Sequence, residues 1–502
     1  KQLGNKFFDR EFDFSRGTRA TFVGRNGLIQ QSGLTDTELV TNGDFATDSD
    51  WTKGAGWTIS GGKANANTIG NFVNLHQNSV FVVGRKYKYS FTVANYTQGS
   101  IRFTEGGLDI SGEKTSTGVY TGTFTASTYT SLYMQGINSF IGSITNISVK
   151  EIQVDVPRID FTDDPTGHLL LEPQSTNLLP YSEDFSQSAW IKNGSSITSN
   201  AIISPDGTLN ADKLVESTNL GTHWVREIIT VVNGKITFSI FAKKGERDYI
   251  LLRENTRGGY YFNLNNGTIG GVYSTAPDSY EIKEFNNGWY KFSITVTTSN
   301  STADFLVYTA NENNSNNYQG DGTSGIYIYG AQLEQLSYAT SYIPTSGSTV
   351  TRNQESCNNS GTVNDFNSEE GVLYAEIAYP NQTNSSNLRI AISDGTGSNR
   401  VLIQNVSSTS NRLQFYVIAN GGTSTDFYTD LSDITLFNKI AFKYKANDFS
   451  VWINGIEILT DTSGITFPNG ILTELAFDGG DGGYNFYGKT KNLKVFKRAL
   501  TD

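Results

Sequence analysis

Tyr87-Lys88-Tyr89-Ser90-Phe91-Thr92-Val93 and Lys235-Ile236-Thr237-Phe238-Ser239-Ile240-Phe241 decide the fold class of this chain. In each run, bulky apolar residues take every second position. That is the period of a strand with one buried and one wetted face, not the 3.6-residue period of a helix. Tyr290-Lys291-Phe292-Ser293-Ile294-Thr295-Val296, Leu413-Gln414-Phe415-Tyr416-Val417-Ile418 and Phe449-Ser450-Val451-Trp452-Ile453 repeat the pattern, and Gly, Asn or Asp bounds the runs. No helical period intervenes. The expectation is an all-β chain of three consecutive antiparallel β-sandwich (jelly-roll) domains with a short N-terminal docking segment.

Composition bounds the function classes. At 502 residues the chain exceeds a single hydrophobic core. A net charge of −11 argues against a nucleic-acid partner, because neutralising a phosphate backbone takes a concentrated excess of Lys and Arg. No run of apolar residues is long enough to span a bilayer, and no charged-then-apolar leader follows Lys1. The lone Cys357 has no intrachain partner and reads as an inert thiol. His76, His168 and His223 lie far apart without zinc-site spacing, so each reads as structural.

An internal repeat divides the first two thirds. Asn42-Gly43-Asp44-Phe45 followed by Trp51 is echoed by Ser182-Glu183-Asp184-Phe185 followed by Trp190, and the copies close on Ile144–Glu151 and Ile326–Glu334. Large rings at the start of each copy can seal one end of a sandwich. The expected divisions are an N-terminal anchoring segment at 1–36, a sandwich at 37–152, an ordered connector at 153–176, a second sandwich at 177–343, a linker at 344–367 and a third sandwich at 368–502. The linker is rich in Ser, Thr, Asn and Gly, so it is expected to be exposed and mobile.

Several ordered motifs resemble those of a known class. Phe14-Ser15-Arg16-Gly17-Thr18-Arg19-Ala20-Thr21, Gly27-Leu28-Ile29, Pro157-Arg158-Ile159-Asp160-Phe161 and Leu169–Leu179 resemble a pattern of bacteriophage tail-fibre or appendage structural proteins. So does Gly330-Ala331-Gln332-Leu333-Glu334 continuing through Thr340–Ser348 to Val350-Thr351-Arg352. The 37–152 sandwich interrupts that pattern and resembles carbohydrate-binding modules through Leu39–Phe45 and Trp51. The third sandwich resembles concanavalin-A-like and laminin-G-like domains through Ala441–Tyr444, Val451–Gly455 and Asn492–Leu500. The resemblance implies a virion-surface protein assembled in the host cytoplasm, with other virion proteins and cell-surface polysaccharide as partners. It also suggests a homotrimer, although the chain carries no collagen-like or heptad repeat.

Residues that could carry chemistry are sparse. No nucleophile elbow, phosphate-cradling loop or dinucleotide fingerprint is present, and no local motif singles out two of the 49 Asp and Glu as a glycosidase pair. The chain is expected not to be an enzyme. Glycan binding asks for exposed aromatic faces with amides and carboxylates around them. Trp57 after Gly54-Ala55-Gly56, Trp224 after His223, and Tyr260 and Tyr261 after Gly258-Gly259 are the candidates to project from loops, whereas Trp289 and Trp452 are expected in cores. The loop Asp478-Gly479-Gly480-Asp481-Gly482-Gly483 suggests a calcium site through Asp478 and Asp481, as the resemblance to concanavalin-A-like domains also does. Two other readings stay open: a capsid decoration protein with a stabilising role only, and a polysaccharide-degrading enzyme.

Overall fold

A computed structural model describes residues 11–33, 37–152, 154–381 and 387–500. The chain forms two compact units, one of them Ser32–Val154 and the other drawn from the chain on both sides of it. Among the described residues the regular structure is antiparallel β-sheet and one three-residue 3-10 turn, as the alternation predicts.

The Ser32–Val154 unit is a single eight-stranded sheet folded over one core. Its two long strands, Lys86–Glu105 and Leu132–Ile152, pair along most of their length, with register shifts around Ile137–Ile141 and Thr145–Ser148. Such bulges bend a strand. The consequence shows in the rings of Tyr89 and Phe103, which stack 4.4 Å apart although both belong to Lys86–Glu105. A straight strand would separate them by about 46 Å at ~3.3 Å per residue. One sheet therefore supplies both layers of the sandwich.

The larger unit holds the other two sandwiches. The second packs two six-stranded sheets face to face. The first runs Ile191–Asn193, Trp224–Thr230, Thr302–Ala310, Tyr249–Glu254, Gly258–Asn263, Thr268–Tyr273 in spatial order; the second runs Ser195–Ile203, Leu209–Glu216, Gly325–Glu334, Gly234–Lys244, Trp289–Thr298, Ser279–Phe285. Phe238 and Phe305, one from each sheet, stack at 5.0 Å in the core between them. The third sandwich pairs a seven-stranded sheet with a five-stranded one, and Phe415 meets Phe442 across the gap at 5.8 Å. Asn454 and Gly455, both at positive φ, close its hairpin Phe449–Ile453/Ile456–Asp461 as the Asn-Gly pair predicts.

Two expectations about the connecting segments need correction, and the expected docking of the N-terminal segment takes a definite form. Arg158–Asp160 and His168–Leu171, read as connector, are two strands of the seven-stranded sheet. The 344–367 stretch is not a mobile linker: Val350–Arg352 pairs with Ser175–Asn177, Ser356–Asn358 pairs with Asp13–Ser15, and Arg352, Glu355 and Cys357 are buried. The described part of the N-terminal segment docks on its own chain, through Asp13–Ser15 and the hairpin Thr21–Val23/Ile29–Gln31. Phe7, Phe8 and Arg10 lie outside the described residues.

Composition misled here because these polar residues are buried against one another. Glu355 accepts from Arg16 at 2.7 Å and from Arg158 Nε at 2.9 Å; Glu172 pairs with Arg158 at 2.9 Å and with Arg352 at 2.7 Å. All five side chains are nine-tenths buried or more. The third guanidinium's excess charge is spread over carbonyl acceptors: Arg16 donates to Thr18 O, Arg158 to Thr21 O, and Arg352 to Pro173 O. Burial would push the Glu172 carboxyl up, but Arg352 and Arg158 hold it far below the usual carboxylate range.

Candidate functional site

The alternation of the first sheet of the second sandwich sets up a site on its outer face. Val225, Ile250, Leu252, Phe262, Phe305 and Val307 point into the core, so their sequence neighbours face out. The register aligns those outward residues into two rows. Trp224 lies opposite Tyr308, Tyr308 opposite Leu251, and Leu251 opposite Tyr261, which makes an apolar, mostly aromatic row across four strands. Beside it run Arg226, Leu306, Arg253, Gly259 and Tyr273 in the same strand order.

The rows are bound together. Arg226 lies over the Trp224 ring at 5.2 Å, and Arg253 over Tyr273 at 4.7 Å, the geometry of a cation–π contact. Arg253 also donates to the Tyr308 hydroxyl at 3.1 Å. Arg226 pairs with Asp304 at 2.7 Å, and Asn255 donates to the same carboxylate. Burial raises Asp304 despite Arg226 beside it, and pushes the Tyr261 hydroxyl up to about 12. Leu251, Tyr261, Leu306 and Tyr308 are buried at the centre, while Trp224, Tyr249, Tyr273 and both arginines stay partly open. The face therefore offers ring surfaces for stacking and guanidinium N–H groups whose positions are already fixed.

Of the candidates read from the sequence, the structure brings Trp224 and Tyr261 together in this row. Neither sits in a loop: Trp224 opens the strand Trp224–Thr230, and Tyr261 lies within Gly258–Asn263. Tyr260, next along that strand, turns to the opposite side and packs on the core, 5.3 Å from the Tyr280 ring. Trp57 is a correction. It begins the strand Trp57–Ser60, is 5 % exposed and packs near Phe140, because the turn at Gly54–Gly56 aims it inward. Trp289 is core as expected, whereas Trp452 alternates outward under Lys443.

The Asp478–Gly483 loop does not fit calcium. Asp478 is buried and its Oδ1 accepts from Gly480 N at 2.6 Å, while Asp481 pairs with Arg400 at 3.3 Å, so a cation already occupies that carboxylate's field. Among the described residues no cluster of three His, Cys, Asp or Glu could hold a metal. Sequence reading missed Arg226, Arg253, Tyr273 and Tyr308. Their signal was present, as aromatic and basic residues two apart on alternating strands, but only register shows that they share a face.

No family model and no curated protein matches the chain. Solved structures that resemble it do so loosely, as two of them show. The N-terminal CBM22-1–CBM22-2 tandem of Paenibacillus barcinonensis Xyn10C is 12 % identical, covers 60 % of this chain and 98 % of its own length, and has a TM-score of 0.25. Domains LG4-5 of the mouse laminin α1 chain are 12 % identical, cover 57 % of this chain and 90 % of their own length, and have a TM-score of 0.19. Superpositions at that level carry no argument about this chain, whose β-sandwich class rests on its own sheets and cores.

Proposed function

We propose that the chain is a bacteriophage virion structural protein, a tail fibre or capsid appendage, that adheres to host-surface or environmental glycans and catalyses no reaction. The observation that carries the adhesive reading is the aromatic row of Trp224, Tyr308 and Tyr261 flanked by Arg226 and Arg253. The open rings of that face, Trp224 in the row and Tyr273 beside it, lie next to the guanidinium donors of Arg226 and Arg253 and match the two faces of a sugar, one apolar and one lined with hydroxyls. Asp304, the carboxylate paired with Arg226 on that face, is also tied to Asn255, which suits a structural role better than proton transfer. The virion reading is supported by the motifs at 14–21, 157–161, 169–179 and 330–352, whose Arg16, Arg158, Glu172 and Arg352 converge in one buried junction. A network of that kind favours one arrangement of the segments it joins.

The test is glycan-array binding of the intact protein and of Trp224→Ala, alongside reducing-sugar release from any polysaccharide that binds. Loss of the ring is expected to weaken binding about fivefold, the scale of one stacked aromatic at ~1 kcal/mol. Sugar release would make the protein a depolymerase. Absence of binding would leave a capsid decoration protein with a stabilising role.

A further inference from the structure

The other sheet of the second sandwich meets the third sandwich across a cleft of about 590 Å³, within the range of small-ligand sites. One wall is the outer face of that sheet, carrying Glu281 and Lys283 on its edge strand Ser279–Phe285. The opposite wall carries Asp163, Lys489, Tyr379 and Phe437. Lys283 pairs with Glu281 at 3.2 Å, and Lys489 pairs with Asp163. These four side chains keep between 25 % and 46 % of their surface accessible. They form two neutral donor–acceptor pairs on facing walls.

We propose that this cleft is a second ligand site, which takes a short neutral saccharide of one or two rings. A hydroxyl both donates and accepts, so a polyol can satisfy ammonium and carboxylate groups alternately, whereas an anion would meet Glu281 and Asp163 and a cation would meet Lys283 and Lys489. An apolar ligand would strip water from four charges without replacing it. Phe437 supplies a ring wall, held in place by the Lys491 ammonium at 4.1 Å and edge-on by His168 at 5.5 Å.

The ligand class follows from the cleft's own donors and acceptors, so this site and the aromatic face stand or fall separately. The experiment is saturation-transfer NMR and calorimetry on the full chain with glucose, galactose, N-acetylglucosamine, maltose and cellobiose. Wild type is compared with Lys489→Gln, Glu281→Gln and Trp224→Ala, each checked for native circular dichroism. Glu281 and Lys489 each keep part of their surface accessible, so both cleft variants are expected to fold. At least one sugar should bind saturably, and both cleft variants should weaken it about fivefold or more, the scale of one lost hydrogen bond, while Trp224→Ala leaves it unchanged. The proposal is overturned if no sugar of the panel binds, if binding survives both cleft variants, or if only Trp224→Ala abolishes it.

Discussion

The two copies of the Asp-Phe…Trp repeat open their sandwiches with the same geometry. In the first, Phe45 and Trp51 lie 5.2 Å apart and the indole donates to Asn42 O at 3.0 Å; in the second, Phe185 and Trp190 lie 4.9 Å apart and the indole donates to Tyr181 O at 2.8 Å. Each tryptophan reaches back over the same number of residues to tie down the entering chain. Beyond the motif the two copies diverge. The first builds one bent sheet whose rings from a single strand stack on each other. The second builds two separate sheets, the outer face of one carrying the aromatic row and that of the other lining the cleft. A shared opening thus fixes how a sandwich is sealed and leaves open what its faces do.

The largest effects should come from breaking that seal. Trp190→Ala and Trp51→Ala each remove a buried ring and should cost about 3–5 kcal/mol, with Trp190, the more buried of the two, at the upper end. Urea denaturation followed by circular dichroism should show each variant shifting the unfolding of its own unit. If one copy tolerates the change within about 1 kcal/mol, the two motifs are alike in sequence but not in role.

The buried junction sharpens the contrast, since it belongs to the larger unit alone. Glu172→Gln leaves Arg158 and Arg352 short of a charge partner and should destabilise by about 3–5 kcal/mol. The wild-type carboxyl is held below its unfolded value, so its contribution is present above about pH 4.3 and is lost as the solution is acidified further. A urea midpoint series in acid should therefore fall more steeply for wild type than for Glu172→Gln.

Glu227 should behave with the opposite sign and a smaller size. It points into the second sandwich, its Oε2 lacks a partner, and burial pushes its pKa up to about 7. A raised folded pKa gives stability that is intact below about pH 4.3 and is lost as pH rises through about 7. Glu227→Gln should therefore stabilise the protein by roughly 1–2 kcal/mol at pH 8 and by little at pH 4, as midpoints at the two pH values would show. Equal midpoints at both would mean that the carboxyl is solvated.

Alternation alone gave the strands, their turns and the sealing role of Phe45, Trp51, Phe185 and Trp190, because a two-residue period and a large apolar ring are local properties of the chain. The site was less legible. Trp224 and Tyr261 could be singled out as aromatic residues near glycines, yet the same reasoning picked Trp57, which a tight turn sends into the core. Arg226, Arg253 and Tyr308 join them only through cross-strand register, a relation between segments up to 84 residues apart. The polar stretch around Arg352 and Glu355 read as a linker because composition reports how much a residue prefers water, not whether an opposite charge waits for it. Partners for those charges come from Arg16, Arg158 and Glu172, far away in sequence, and only the folded chain brings them within hydrogen-bond distance.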